Sequence, residues 1–246
     1  MKLPLFTNHG SLCYYGYMFD KNTIPEVTIT PAKFGDFSIT KEGNIFYLRK
    51  NEAQLMQLNT KTLREYKEQY ACYDLAYGDV LITGLGFGML ATWLAAKPEV
   101  TSVKVIEFHQ EVIDLFTSSN PVPEKITIEL GDAKTYATSD KFDCMFLDHF
   151  PDHSEEPIYS EVLSISKNIP NHDVLWFWSL EKWYLENYYG LVWRLFFTNP
   201  PDLSTVNLYD NWQKFKSDIS VLTVPTLDPV KLKEYIYSSI NYIAIQ

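Results

Sequence analysis

The stretch VLITGLGFG, residues 80–88, carries the reading of the fold. Four apolar or β-branched residues, Val80 to Thr83, form a short strand signal, and Gly84, Gly86 and Gly88 break it at alternate positions. MLATWLAA then follows without glycine or proline until Lys97-Pro98. Strand, glycine loop and helix in that order are how a βαβ unit begins. Glycines let the chain turn sharply and let a ligand approach the amides at the helix N-terminus. The uncharged run from Val80 to Ala96 is too short and too rich in glycine for a membrane span, which needs ~20 apolar residues. It reads as buried core.

Working outward, β and α signals alternate at short spacing, as a doubly wound sheet requires. Val103 to Phe108 is the second strand, followed by a helix from about Gln110 to Phe116. Ile126 to Leu130, Phe142 to Leu147 and Val174 to Trp178 are the third, fourth and fifth strands. The last two are almost wholly apolar, as strands covered on both faces are. After Ser179 a long helix carries Tyr184, Tyr188, Leu191, Val192 and Leu195, and the tail offers a strand at Ile219 to Val224, a helix from Pro229 to Ser238 and a strand near Tyr242 to Ile245. The fold class expected is α/β: a doubly wound, Rossmann-like, seven-stranded, mostly parallel sheet with a small N-terminal β extension. The extension comprises residues 1–60, with strands at Val27 to Thr30, Phe37 to Thr40 and Ile45 to Leu48, the last two joined at Lys41-Glu42-Gly43-Asn44. Residues 61–246 form the main domain, entered by an amphipathic helix over Thr62 to Ala76 on which Leu63, Tyr66, Tyr70 and Tyr73 recur at helical spacing.

Composition narrows the function. With 21 basic and 31 acidic residues the net charge is −10, a field that repels phosphate backbones and argues against bulk nucleic-acid binding. Cys13, Cys72 and Cys144 are odd in number and show no Cys-x-x-Cys spacing, so neither a disulfide framework nor a zinc site is expected. With no signal-peptide pattern in MKLPLFTNHG, the expectation is a cytoplasmic protein without a membrane segment. Aromatic residues reach 15% and concentrate in the N-terminal extension and in residues 176–197; they suit a ligand pocket or a homodimer contact.

The chemistry begins with Glu107, which ends the second strand 107 − 84 = 23 positions after the first loop glycine. That is close to the ~20-residue spacing at which an acid meets ribose hydroxyls. A dinucleotide fingerprint would place its third glycine at position 89, which is Met89, so NAD is disfavoured. No P-loop pattern and no Gly-x-Ser-x-Gly elbow occurs.

With those elements in place, residues 79–179 resemble the class I S-adenosylmethionine-dependent methyltransferases. VLITGLGFG resembles the glycine-rich first motif and VIEFHQEVIDLF the second, IELGDA resembles the adenine loop, and FDCMFLD ends at Asp148. The resemblance implies S-adenosylmethionine as cofactor, held by Gly84, Gly86, Gly88, Glu107, Phe108, Asp132 and Ala133, and a small-molecule acceptor served by Asp148 as the catalytic residue. Phe108 would lie against adenine, and the Asp132 carboxylate would approach its amino group. Asp132 also reads as a turn former after Gly131.

Two branches compete within that resemblance. FLDHF is similar to the catechol O-methyltransferase segment, where the Asp helps hold Mg²⁺. Here, though, the further ligand position reads Trp178-Ser179-Leu180 and the family's Lys is Pro151, so no metal is expected. The layout also resembles the spermidine synthases, with a hairpin-like start, Gln54 after it, then Asp148 and Asp152; but Phe87 replaces that family's loop acid, and Asp152 stands four places after Asp148 instead of three. Aminopropyl transfer is therefore the alternative to methyl transfer, and a non-catalytic binding module of the same fold is a third reading.

Overall fold

The structure is a computed structural model, and it describes residues 5–6, 12–13, 21–25, 28–63, 65–66, 69, 72–73, 76–119, 121–150 and 157–178. A two-stranded ribbon, β1 (Leu5–Phe6) with β2 (Leu12–Cys13), precedes everything else. Four strands then form an antiparallel meander: β3 (Ala32–Phe34), β4 (Phe37–Glu42), β5 (Ile45–Lys50) and β6 (Ala53–Asn59). The β4–β5 turn falls where expected, with Glu42 opposite Ile45 and Gly43 at φ 59°. Phe37, Ile39, Phe46, Leu48 and Leu58 bury one face of this sheet, the alternation that a one-sided antiparallel sheet shows. Two expectations are corrected here. Residues 28–30 are not a strand; the first strand of the meander starts after Pro31. Beyond the hairpin a further strand, β6, pairs with β5.

The main sheet has five described strands, all parallel: β7 (Gly78–Thr83), β8 (Val100–Glu107), β9 (Ile126–Leu130), β10 (Phe142–Leu147) and β11 (His172–Phe177). Their order is β11-β10-β7-β8-β9. From β7 the chain winds outward through α1 (Met89–Ala96), β8, α2 (Gln110–Ser119) and β9. It then returns to the other side of β7 for β10, α3 (Pro157–Asn168) and β11. With right-handed crossovers, α1 and α2 cover one face and α3 the other. That explains why Val80, Leu81, Ile82 and Thr83 in β7, and Cys144 to Leu147 in β10, are all buried. This is the doubly wound, Rossmann-like α/β fold, described over five strands. The expected elements after Ser179, including the two further strands, lie outside the described residues. Helix α3 is an addition to the sequence expectation. Among the described residues no helix is long and apolar enough to cross a membrane.

The segment before β7 docks on α1. N–H to C=O hydrogen bonds from Gln69 to Glu65, Tyr73 to Gln69 and Ala76 to Cys72 each span four residues, as in an α-helix. Tyr73 stacks on Trp93 of α1 at 4.4 Å between ring centres, and Tyr66 meets the same ring edge-on at 5.3 Å. Lys97 Nζ donates to the carbonyls of Tyr73 and Ala76, satisfying acceptors at the end of the segment.

Candidate functional site

Strand order reverses between β7 and β10, and in an open α/β sheet ligands bind beyond the C-terminal strand ends at that switch point. Gly84 follows β7 and Asp148 follows β10, and the two backbones touch. The Asp148 N–H donates to the Thr83 carbonyl at 3.0 Å, and a Cβ placed on Gly84, at φ 87°, would lie 2.6 Å from the Asp148 carbonyl oxygen. Only a residue without a side chain fits there. Gly86 faces Met56 Sδ of β6 at a hypothetical 2.8 Å, so the antiparallel sheet leans over the loop; Gly88, the N-cap of α1, is packed against Phe116.

Glu107 ends β8 and is only 7% exposed. Its Oε2 accepts from the Leu85 N–H and its Oε1 from the His109 N–H, both at 2.8 Å. The carboxylate is thereby fixed between the glycine loop and the turn into α2. Within the loop, the Gly84 N–H goes to Ile106 and the Gly88 N–H to Leu85, so three of its amides are engaged inside the protein. Phe108 is 61% exposed and meets His109 edge-on, and His109 in turn packs on Phe37 of β4 at 4.5 Å. Asp132 Oδ1 accepts from the Lys134 N–H, the local turn that its sequence context suggested, and Ala133 is buried beside it.

Asp148 has a partner that the sequence reading did not name. Gln69 Nε2 donates to Asp148 Oδ2 at 2.6 Å across 79 positions of sequence. Gln54, by contrast, lies exposed in β6 opposite Arg49. The signal was available: Gln69 is a polar residue on the face that carries Tyr66 and Tyr73. Next along the chain, His149 Nδ1 meets Thr83 Oγ1 at 2.5 Å and its Nε2 meets Glu161 Oε1 of α3 at 2.9 Å. Glu161 Oε2 pairs with Lys134 Nζ at 2.8 Å. A carboxylate only accepts, so the imidazole carries its proton on Nε2 and takes the Thr83 hydroxyl proton as a hydrogen bond at Nδ1. Burial pushes the His149 pKa down and the bond to Glu161 only partly opposes it. The ring is neutral with both nitrogens engaged, so His149 supplies neither a base nor a metal ligand in this arrangement. Among the described residues no cluster of three or more His, Cys, Asp or Glu could hold a metal ion. Pro151, Asp152 and His153 lie outside the described residues.

The arrangement is therefore two carboxylates, Glu107 and Asp148, on either side of a glycine loop at the switch point. The fold is Rossmann-like. No protein-family model and no curated protein matches the chain. Solved structures are similar in part. A complex of DhpI with SAH is 16% identical at TM-score 0.38, over 48% of this chain and 57% of that one. An S-adenosylmethionine-dependent methyltransferase from Mesorhizobium loti is 16% identical at TM-score 0.33, over 42% and 49%. Phosphoethanolamine N-methyltransferase 1 of Haemonchus contortus, in complex with phosphoethanolamine and S-adenosylhomocysteine, is 18% identical at TM-score 0.35, over 46% and 25%. The chain thus spans less than two thirds of each of these proteins. The Rossmann-like assignment rests on the strand order of this chain and not on those likenesses.

Proposed function

We propose that the protein is an S-adenosylmethionine-dependent methyltransferase acting on a small-molecule acceptor. One observation carries this reading: the buried Glu107 carboxylate bonded to the Leu85 N–H of the glycine loop. In a dinucleotide site the loop amides and helix N-terminus face a pyrophosphate. Here a carboxylate takes the Leu85 N–H, so that amide is not available to a phosphate. Each carboxylate oxygen has a second lone pair, so Glu107 keeps acceptor capacity for hydroxyl donors such as those of a ribose. A ligand with hydroxyls and no phosphate fits.

S-adenosylmethionine, when bound, supplies a methyl group activated on a sulfonium. The protein's own part is positioning and charge. Gly84 lets the Asp148 backbone, and Gly86 lets Met56, close up on the loop. Glu107 would hold the ribose hydroxyls, the exposed Phe108 ring would lie along adenine, and Asp132 with Ala133 would close that end. Asp148, on the opposite side of β7, would orient the acceptor and take its proton, while negative charge near a cationic centre is stabilising.

Calorimetry of the pure protein with S-adenosylhomocysteine, and separately with NAD, tests the donor assignment. Heat with the first and none with the second is expected, and the reverse pattern rejects it. A panel of hydroxyl and amine acceptors with S-adenosylmethionine, read as S-adenosylhomocysteine release, then addresses the acceptor; release of methylthioadenosine from the decarboxylated donor would instead mark aminopropyl transfer.

A further inference from the structure

We propose that Gln69 is a positioning residue that sets the orientation of the Asp148 carboxylate, and this rests on the role given to Asp148 above. The backbone of Asp148 is already fixed, by its N–H on the Thr83 carbonyl and by the close packing of its own carbonyl on Gly84. Its carboxylate Oδ2 accepts from the Gln69 amide at 2.6 Å, a restraint on the side chain that comes from outside the main sheet.

The other end of the same amide shows what Gln69 is not for. Gln69 is 4% exposed, and its Oε1 is buried without a hydrogen-bond partner. A desolvated carbonyl with no donor works against folding, and a Leu of similar size would fill the space between Tyr66 and Tyr73 without that defect. What Leu cannot supply is the N–H at Asp148. The anchor behind Gln69 is firm: Tyr66 and Tyr73, on the same face, grip Trp93 of α1, whose indole N–H reaches Thr23 Oγ1 at 3.2 Å. Gln69 thus ties the segment preceding β7 to the reactive end of the switch point.

The test uses the full chain labelled with ¹³C at aspartate carboxyls, with the Asp148 signal assigned by its loss in Asp148→Asn. In Gln69→Leu the pH at which that signal titrates should rise by about one to two units, because a donor favouring the ionised form has been removed. In Gln69→Glu, which keeps shape and adds a like charge, it should rise at least as far. The thermal midpoint of Gln69→Leu should stay within about 3 °C of the parent, since losing the bond is offset by removing the orphaned carbonyl. Affinity for S-adenosylhomocysteine should stay within about threefold, because Gln69 faces Asp148 and not Glu107. An unmoved Asp148 titration in both variants overturns the proposal while donor binding stands. Collapse of the Gln69→Leu fold together with an unmoved titration in Gln69→Glu also overturns it, by making Gln69 a packing residue. Absence of any heat with S-adenosylhomocysteine in the parent protein rejects the functional reading itself, and the role of the pair with it.

Discussion

Gly84→Ala separates two costs that glycine positions usually mix, because a second glycine in the same chain isolates one of them. Gly84 has φ 87°, and a Cβ there would lie 2.6 Å from the Asp148 carbonyl oxygen and 3.1 Å from both the Asp148 carbonyl carbon and the His149 Cα. These are backbone atoms of a central strand end, and they cannot swing aside. Gly43, in the β4–β5 turn, has φ 59° and nothing within 4 Å of the same hypothetical atom. Gly43→Ala therefore carries only the left-handed backbone penalty, about 1–2 kcal/mol. Gly84→Ala carries that penalty, at a φ beyond the favoured left-handed range, plus an overpacking term of about 1–3 kcal/mol. The sum is about 2–5 kcal/mol, against a total stability of about 5–15 kcal/mol for a domain. Urea unfolding of both variants and the parent, followed by circular dichroism, measures the difference directly. Gly84→Ala should lie at least about 1 kcal/mol below Gly43→Ala, and it should also abolish S-adenosylhomocysteine heat by displacing the 148–149 backbone. Equal losses would show that β7 and β10 do not approach at the switch point as described, and the site geometry would fall with that contact.

Glu107→Gln keeps size but turns one acceptor oxygen into a donor facing a backbone N–H; a stability loss of about 1–3 kcal/mol and a weakening of S-adenosylhomocysteine binding of about tenfold or more are expected, from denaturation and calorimetry respectively. His149 and His172 both have pKa values lowered in the fold, chiefly by burial. The folded state therefore binds fewer protons than the unfolded one, and stability should be full above the unfolded value near 6.5 and decline as pH falls below it. Urea midpoints between pH 8 and pH 5 should show this decline, with a shallower slope in His149→Gln, and a midpoint that rises on acidification would contradict it. Burial pushes the Cys144 thiol up to about 11, so mass spectrometry after native iodoacetamide treatment at pH 8 should find Cys144 unmodified, and modified only in denaturant.

The parts of this fold legible in the sequence are those where one residue type has one physical use. Phe142 to Leu147 begins and ends as a strand where its nearly apolar run does, between Lys141 and Asp148, because its inner residues are covered on both faces. Ile126 to Leu130, by contrast, mixes apolar and polar residues, as suits a strand at the edge of the described sheet with only Ile126 buried. The glycine loop was legible because three glycines at alternate positions after a strand have few uses other than close approach. Helix α3 carried a signal that went unread: Ile158, Val162, Ile165 and Ile169 lie at helical spacing, diluted by serines and by an opening proline. In the β extension the β4–β5 hairpin was legible and the first strand was not, because alternation alone does not say whether a strand finds a partner; Thr28 to Thr30 alternates as a strand does, yet pairing begins at Ala32. The place of Gln69 on the face of Tyr66 and Tyr73 was legible, but its pairing with Asp148 and the His149, Glu161 and Lys134 chain were not, since each is a tertiary pairing between segments and neither spacing nor propensity encodes it.

The electrostatics of the switch point follow from this pairing logic more than from net charge. A total of −10 says little about where a ligand sits, since most of the 31 acidic residues are spread over the chain. Strand order concentrates the effect: β8 and β10 flank β7 on opposite sides, so the carboxylates that end them, Glu107 and Asp148, bracket the glycine loop. Glu107 is held by two backbone amides, and Asp148 accepts from a side-chain amide. A ligand lying across the loop would meet a fixed acceptor at each end. Hydroxyl pairs suit one end, and a cationic centre or a proton-donating acceptor suits the other. The same bracket makes the two ends separable by experiment with S-adenosylhomocysteine, which lacks the sulfonium charge: changes at Glu107 should weaken its binding, and changes at Asp148 or Gln69 should leave it in place.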